Sequence, residues 1–437
     1  MEADTIHLLK INIERKLGRP IRKPKDLKYL KDLIFEINNE EIGFNTLRRF
    51  FGFLPTKALH NKTLEVLCKF VGFENKIAFI KQIEAKNSWD SWKRVNQIEL
   101  AGSISAADII WLQKIISYDD YYIYLSSILK EFVASKNIDA VYTIYKTTPL
   151  FEIPRFQIVK IANIVGSRLR EYSSSEFELL RPLLSLENFR KNFMYLHVDY
   201  QELNGYYGWL LQASTSKLIH TDEKLFTKLI QNYSLFLNHQ KDIQDLSKEK
   251  IPRPCHPILY GRYLGYQLLF FREKGFEIYL QKIFHEVKNQ NLKIDFFHEI
   301  FPILIILKRI DIIHQIVDLY YEDLYNKHNW DHVNAMNVYL VGQSFVFLRE
   351  KNFKSSKKCL EFINYNTIAA GSNELFLKLF HLISNYNYTL YTSGDKEILD
   401  SIKSDYCRIV EQTKFYFFTV AFMEDYFKEI AQPNLEQ

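Results

Sequence analysis

Glycine, proline and cysteine are scarce in this chain of 437 residues. It contains 14 Gly and 11 Pro, whereas an all-β chain needs a turn rich in these residues about every 10 positions. The sequence therefore excludes a β-rich fold and predicts long helices joined by short loops. The four cysteines are far apart, with no CxxC pair and no zinc-finger spacing. We expect reduced thiols and no metal site built from cysteine.

Long apolar runs are also missing. The longest, residues 301–307 and 415–423, fall short of the ~18 residues that a membrane-spanning helix needs. The first residues include the acidic Glu2 and Asp4 and no apolar segment typical of a secretory signal. The composition, 47% hydrophobic and 25% charged, is typical of a folded soluble protein. We therefore expect a cytoplasmic location and no membrane partner.

The motifs that commonly carry enzymatic chemistry are absent too. The sequence has no GxxxxGK[ST] or GxGxxG phosphate loop and no GxSxG nucleophile elbow. His328 and His332 have the spacing of two metal ligands, but without a third ligand they favour ordinary polar positions. Cys255 and His256 favour a rigid proline-rich turn over a nucleophile, since adjacent side chains on an extended chain point apart. We predict a protein that is not an enzyme and has no cofactor and no metal site.

What the chain has in excess is aromatic side chains, at 15%, and helical periodicity. Apolar residues recur at three- and four-residue steps, with short polar breaks and no lasting strand alternation. Helices joined by short loops must each bury an apolar face on a neighbour. The predicted fold class is therefore all-α. For residues 88–437 we predict an irregular right-handed stack of helical hairpins similar to tetratricopeptide repeats, with a candidate subdivision near residues 240–255. A large non-repeating α-bundle is the alternative.

The positive charge is concentrated in the first fifth of the chain. Residues 1–90 hold 17 Lys and Arg against 12 Asp and Glu, and the remaining residues hold 40 of each class. Affinity for nucleic acid comes from contacts between cations and phosphates and from the release of counterions. A basic module followed by a neutral one is what binding to a phosphate backbone requires.

The basic segment, residues 1–87, has the pattern of a small five-helix domain. Asp26 is the predicted cap of the second helix and Asn45 that of the third. Gly43 supplies the flexible point of the turn between them. Apolar stripes place the five helices at residues 6–17, 26–37, 45–51, 61–71 and 77–83.

The third predicted helix carries two adjacent arginines beside Leu47, Phe50 and Phe51, which are expected to turn inward. Arginines on a recognition helix contact base edges, and nearby lysines hold phosphates. Asn45 and Thr46 are candidates both for helix capping and for DNA contact. A solvated basic surface without a ligand is the alternative for the charged residues. The candidate DNA-binding residues are Asn45, Thr46, Arg48, Arg49, Lys25, Lys28 and Lys57.

Two stretches of this segment, IGFNTLRRFFG at residues 42–52 and NKTLEVLCKFVGF at residues 61–73, resemble the helix-turn-helix family of Cro and λ-repressor-like domains. Gly43 falls where that family has its turn glycine. Thr46, Leu47 and Gly52 fall on its recognition helix and the glycine that follows. The resemblance covers about a fifth of the chain, and it implies a five-helix domain that binds duplex DNA.

The resemblance further implies a cytoplasmic transcription regulator whose remaining helices dimerise or sense a protein or peptide partner. This arrangement is similar to regulators that join a Cro-like domain to a tetratricopeptide-like peptide receptor. The second hypothesis is a non-enzymatic protein–protein interaction scaffold whose helix-turn-helix-like module does not bind DNA. Two glycine-aromatic segments, residues 204–209 and 260–266, favour a partner surface, because Tyr, Trp and Arg dominate binding hot spots. The alternative for these two segments is tight packing in the core, where large aromatic side chains usually lie. The candidate partner-binding residues are Tyr206, Trp209, Arg262 and Tyr266.

Overall fold

The computed structural model describes residues 2–55, 60–218, 220–240, 257–270, 293–319, 333–363 and 374–428. These residues form helices and no strand, which confirms the predicted all-α class. None of the described helices combines the length and the apolar character that a bilayer crossing needs. The chain divides into two compact units, residues 1–97 and residues 98–437. We call them the head and the body and describe each by itself.

Five helices begin in the described part of the head. Apolar side chains from all five form one core, because each helix has an apolar stripe at three- and four-residue steps. Leu9, Leu30, Leu47, Leu67 and Phe79 represent the five helices in that core. The helices are α1 (Glu2–Leu17), α2 (Asp26–Asn38), α3 (Phe44–Phe50), α4 (Asn61–Phe70) and α5 (Lys76–Ala101).

The start of α2 differs from the prediction that Asp26 caps this helix. Asp26 is instead the first residue of α2, and Lys25 occupies the N-cap position. The Asp26 carboxylate accepts hydrogen bonds from the backbone N–H groups of Arg22 and Lys23, at 3.2 and 2.9 Å. The side chain therefore holds the loop that precedes α2 rather than the first turn of the helix.

The turn between α2 and α3 also differs from the prediction. Asn45 lies inside α3, and the N-cap is Gly43. Gly43 has φ −62°, which any residue can adopt, and the left-handed residue of the turn is Asn39, with φ 53°. A Cβ on Gly43 would lie 3.3 Å from Thr46 Oγ1. Glycine therefore serves here to leave room for the threonine side chain, and the prediction of a flexible point at Gly43 is corrected.

The fifth helix is longer than the predicted segment of residues 77–83. Helix α5 continues from Lys76 to Ala101, so no loop interrupts it near residue 88. The sequence between Gly72 and Gly102 contains neither glycine nor proline, and nothing in it breaks a helix. Gly102 ends the helix in the left-handed region, at φ 58°.

The body contains the remaining described helices. The sequence Ser105-Ala106-Ala107-Asp108 predicts a capping box, and Ser105 and Asp108 form one at the start of the first of these helices. The helices are α6 (Ala106–Lys114), α7 (Tyr121–Ala134), α8 (Ile138–Thr147), α9 (Arg155–Leu169), α10 (Glu187–Phe189), α11 (Tyr206–Ser214), α12 (Thr221–Leu237), α13 (Pro257–Phe270), α14 (Lys293–Ile306), α15 (Ile310–Leu319), α16 (Val333–Arg349), α17 (Phe353–Phe362), α18 (Glu374–Thr392), α19 (Lys396–Thr413) and α20 (Val420–Glu424).

Apolar stripes at residues 177–184 and 189–198 predict two α-helices of the body, but both segments take other helical forms. The segment predicted at residues 177–184 is a 3₁₀ helix, Ser174–Ser185, that contains Pro182. A proline has no N–H to donate and disfavours a regular α-helix. The segment predicted at residues 189–198 contains a π-helix, Arg190–Tyr195, directly after α10. Both segments are helical as predicted, but neither is a regular α-helix.

The turns after α7, α14 and α16 share one geometry. Each connects two helices through three residues and has a lysine in the left-handed region, Lys136, Lys308 and Lys351, with φ between 57° and 59°. The backbone N–H of the residue after the lysine donates to a carbonyl in the last turn of the preceding helix. This pattern provides hydrogen-bond donors for the carbonyls at the end of a helix. The closing bonds are Asn137 to Phe132, Arg309 to Leu304 and Asn352 to Phe347, each 2.8 Å from N to O. A helical hairpin with the same three-residue loop therefore recurs along the described part of the body.

Helix α14 packs closely against two partners through glycines. A Cβ on Gly265 of α13 would lie 3.0 Å from Ile303 Cγ1, and a Cβ on Gly342 of α16 would lie 3.2 Å from Phe301 Cδ2. Because a side chain would fill the space between the helices, the glycines allow this close approach. Gly265 lies in the second glycine-aromatic segment noted in the sequence.

Candidate nucleic-acid interface

The two sides of α3 differ in chemistry. Leu47 and Phe50 are 0% and 2% exposed and belong to the head core. Asn45 is exposed, and Arg48 and Arg49 are partly exposed. These three residues are three and four positions apart, so they lie on the same side of the helix. The aromatic ring of Phe50 thus points into the core, and the polar side chains predicted to contact DNA share the outer face.

The adjacent arginines have different surroundings. Arg48 Nη1 donates to Asn45 Oδ1 at 3.4 Å, and its guanidinium carbon lies 5.9 Å from the centroid of the Phe44 ring. Its Nε is buried, so the aliphatic part of Arg48 is held against the helix. Arg49 has no carboxylate partner among the described residues. Arg49 is therefore the cation on this face that is not already engaged.

Thr46, the fourth residue predicted on α3, is partly exposed and faces Gly43 through Oγ1. Lys25 and Lys28, at the start of α2, are both exposed. Neither lysine is paired with a carboxylate in the part of the head that the structure describes. Lys57 lies outside the described residues.

Two other cations of the head, Lys69 and Lys16, bind groups that are distant in sequence. Lys69 Nζ lies 2.8 Å from Glu40 Oε1, and this hydrogen bond raises the pKa of Lys69. Lys16 Nζ donates to the carbonyl of Phe70, at the end of α4. These contacts join helices of the head, whereas the cations on α3 and at the start of α2 make no comparable contact among the described residues.

The residues predicted to bind a partner in the body lie mostly in its interior. Tyr206, Arg262 and Tyr266 are buried. Trp209 is partly exposed, and its ring lies 6.2 Å from that of Phe177. Tyr206 and Tyr266 pack in the core, and Trp209 is the one of the four that solvent reaches.

Buried arginine–carboxylate pairs are the feature of the body that sequence reasoning missed. Isolated buried charges are very costly, so each requires a partner. A signal existed, since Arg262 stands within a strongly apolar stretch, YGRYLGYQLLF. Both members are buried in the pairs Arg190–Glu223 and Arg262–Glu299, whereas in Arg170–Asp199 the carboxylate is buried and the arginine side chain is 18% exposed.

Arg262 is at the centre of one of these networks. Its Nε donates to Glu299 Oε2 and to Tyr200 Oη, both at 3.0 Å, and its Nη2 donates to Glu299 Oε1 at 2.5 Å. These residues line a small pocket with a volume of about 20 Å³, to which Tyr233 and Phe376 also contribute. A space of this size admits about one water molecule and is too small for a larger ligand.

A second cluster surrounds Asp199, which is fully buried. Arg170 Nε and Tyr206 Oη donate to its carboxylate, at 2.9 and 2.8 Å. Burial raises the pKa of nearby Glu202 to about 7, and the charge of Asp199 adds to this shift. Burial lowers the pKa of His197 to about 3. Glu202 is thus a carboxyl group whose charge depends on pH near neutrality.

The described residues include a buried thiol and no candidate cluster of metal ligands. Burial raises the pKa of the Cys68 thiol to about 12, which keeps it protonated. The described part of the chain has no group of three or more His, Cys, Asp or Glu that could hold a metal ion. His328, His332, Cys255 and His256, which were considered from the sequence, lie outside the described residues.

The outer face of α3 is thus the most specific candidate site on the described chain, with Asn45, Arg48 and Arg49 at its centre. The body contributes buried polar networks and Trp209. Comparison of the chain with protein-family models, with curated proteins and with solved structures finds no match.

Proposed function

We propose that this protein is a DNA-binding transcription regulator whose head binds duplex DNA through α3. One observation carries the proposal: Leu47 and Phe50 anchor α3 in the core, while Asn45, Arg48 and Arg49 share its outer face. A helix held in this way presents a polar edge of fixed orientation. Such an edge is what reading bases in the major groove requires.

The chemistry of the face matches that role. An arginine can donate two hydrogen bonds to guanine, and an asparagine can form a pair of bonds with adenine. Lys25 and Lys28, exposed at the start of α2, supply cations for phosphate contacts, which position a protein without reading sequence. The net charge of +5 over residues 1–90 supports a domain drawn to a polyanion.

The order of elements supports a helix-turn-helix architecture for the head. Helix α2 is followed by a turn through Asn39 and Gly43 and then by the short α3. The shared three-residue turns of the body support stacked helical hairpins similar to tetratricopeptide repeats. In this proposal the body serves dimerisation or the recognition of a protein or peptide, with Trp209 as its accessible aromatic residue.

The test uses the full chain and a pool of randomised duplexes, from which retained sequences are selected and sequenced. We expect enrichment of a motif, and we expect Arg48→Ala/Arg49→Ala to abolish that enrichment. The lysine variant Lys354→Ala/Lys358→Ala, on exposed positions of α17, is the matched control and should enrich the parent motif. Selection of no motif by the parent chain would contradict sequence-specific regulation.

The second candidate is an interaction scaffold whose head binds a protein. The observation that favours it is the exposure of apolar side chains on α2, where Phe35 is 50% exposed and Tyr29 and Ile37 are also exposed. Phosphate contacts do not need such residues. This candidate predicts that Arg48→Ala/Arg49→Ala leaves partner binding intact, while Phe35→Ser/Ile37→Ser abolishes it in a pull-down with the full chain.

A further inference from the structure

We propose that the loop between α1 and α2, residues 19–25, extends the phosphate contacts proposed for Lys25 and Lys28, with Arg22 and Lys23 as the additional contacting side chains. We call these residues the basic loop. The proposal rests on the proposed function, since the phosphates are those of duplex DNA. The basic loop has the sequence RPIRKPK, with four cations and no acidic residue.

The basic loop is held in one conformation by neighbouring carboxylates. The Ile21 side chain is buried in the head core, and its backbone N–H donates to Glu14 Oε1 at 2.8 Å. Asp26 Oδ2 accepts from the backbone N–H groups of Arg22 and Lys23. Both carboxylates thus bind backbone N–H groups in the loop. Two prolines further restrict the backbone.

The cationic side chains of the basic loop are available to a ligand. Arg22 and Lys23 are exposed, and neither is paired with a carboxylate in the described part of the head. Arg19 differs, because its guanidinium carbon lies 5.0 Å from the centroid of the Tyr29 ring. A fixed backbone lowers the entropic cost of ordering side chains on binding. Arg22 and Lys23 are therefore cations on a preorganised support.

The position of the basic loop in the chain also fits a phosphate contact. Helix α2, with 13 residues, separates the loop from the turn that leads to α3, a length of roughly 20 Å at 1.5 Å per residue. The major groove is about 12 Å wide. In helix-turn-helix domains the helix before the recognition helix crosses the DNA backbone. If α2 docks in this way, its start and the basic loop lie toward the DNA backbone rather than the bases.

The experiment measures binding of the full chain to a labelled mixed-sequence duplex by fluorescence anisotropy, from about 50 to about 200 mM salt. Arg22→Gln/Lys23→Gln should make the negative slope of log K against log salt shallower by about 2, since each lost phosphate contact reduces its magnitude by about 1. The preference for a selected sequence over the mixed duplex should stay the same. Lys354→Gln/Lys358→Gln, the matched control, should leave the slope unchanged.

The outcomes separate this proposal from the proposed function. If the parent chain binds duplex DNA but Arg22→Gln/Lys23→Gln leaves the slope unchanged, the basic loop is not a phosphate site, although the proposed function stands. If the parent chain binds no duplex yet sediments with vesicles of anionic phospholipid, both proposals fail. The basic loop then contacts a membrane surface instead of DNA.

A second variant tests whether the fixed backbone matters. Asp26→Ala raises the net charge by one but removes the acceptor that holds Arg22 and Lys23. We expect weaker binding to the mixed duplex despite the added positive charge, with an unchanged far-ultraviolet circular dichroism spectrum. Tighter binding would show that charge alone decides affinity and would overturn the role of loop geometry.

Discussion

Arg49 and Phe50 are neighbours in sequence, but Phe50 is buried and Arg49 is partly exposed. The Phe50 ring packs in the core of the head, edge-on to Phe51 with 5.1 Å between ring centroids, whereas Arg49 has no carboxylate partner among the described residues. We therefore expect that mutation can separate the stability of the head from the DNA binding proposed for α3.

Phe50→Ala should destabilise the head, and Arg49→Ala should not. Removal of a buried phenylalanine costs about 3–5 kcal/mol in lost packing, whereas a surface substitution stays within about 0.5 kcal/mol. Urea unfolding followed by circular dichroism measures both. Arg49→Ala should instead lower the affinity for a selected duplex by about 1–3 kcal/mol. Equal effects of both variants on stability would contradict the placement of the two side chains.

Lys28→Ala should weaken binding to every duplex by a similar factor. Lys28 is exposed at the start of α2, where a phosphate contact carries no sequence information. Anisotropy titrations with a selected and a scrambled duplex give the two affinities. Their ratio should match that of the parent chain, and a changed ratio would mean that Lys28 contacts a base.

Glu299→Ala should strongly destabilise the body. It leaves the Arg262 guanidinium buried without its carboxylate, and breaking a buried pair in this way costs about 3–5 kcal/mol. The double variant Arg262→Met/Glu299→Met should be less harmful, since it removes both charges and retains volume. Chemical unfolding of the three chains gives the comparison. A double variant that is less stable than Glu299→Ala would show that the ion pair itself stabilises the fold.

Glu202→Gln should stabilise the body in a pH-dependent way. Because the folded-state pKa of Glu202 is raised from 4.5 to about 7, the folded chain binds a proton in this range that the unfolded chain has lost. The charged carboxylate therefore reduces stability above about pH 7, and the penalty disappears as the pH falls toward 4.5. The gain from Glu202→Gln should follow the same course in thermal unfolding, with Glu411→Gln, at an exposed position of α19, as the matched control.

Lys351→Gly should stabilise the body by about 0.5–1 kcal/mol, because a residue with a Cβ is strained in the left-handed region. Lys351 has φ 59° and is exposed. Lys136 has the same φ, but its ammonium pairs with Glu176, so Lys136→Gly should gain less. A larger gain at Lys136 than at Lys351, measured by chemical unfolding, would contradict this reasoning.

Helical periodicity was enough to predict the all-α class and the five-helix pattern of the head, because each stripe of apolar residues had to face a core. Helix ends were harder to predict. Asn45 and Asp26 have side chains typical of caps, yet both lie inside their helices, and the Asp26 side chain is used to hold a loop. The length of α5 was missed because Ile77 to Ile83 looked like a complete stripe, although no breaker follows it before Gly102.

The polar interior of the body could not be predicted from periodicity. Arg262 and Glu299 are far apart in sequence and pair only through the packing of α13 on α14. The recurring hairpin turn did leave a signal, since Lys136-Asn137-Ile138, Lys308-Arg309-Ile310 and Lys351-Asn352-Phe353 are similar triplets. The three triplets are unevenly spaced along the chain, so they do not form a repeat of fixed period. The α3 face could be named from the sequence, but the different surroundings of Arg48 and Arg49 needed the structure.

The measurement that tests the central claim most directly is the salt dependence of duplex binding by the full chain. If the head binds DNA, the logarithm of the binding constant should fall linearly with the logarithm of the salt concentration, with a slope near −0.9 for each phosphate contact. Retention of a mixed duplex at low salt and its loss at high salt is the predicted result. Failure to retain any duplex at low ionic strength would contradict the account.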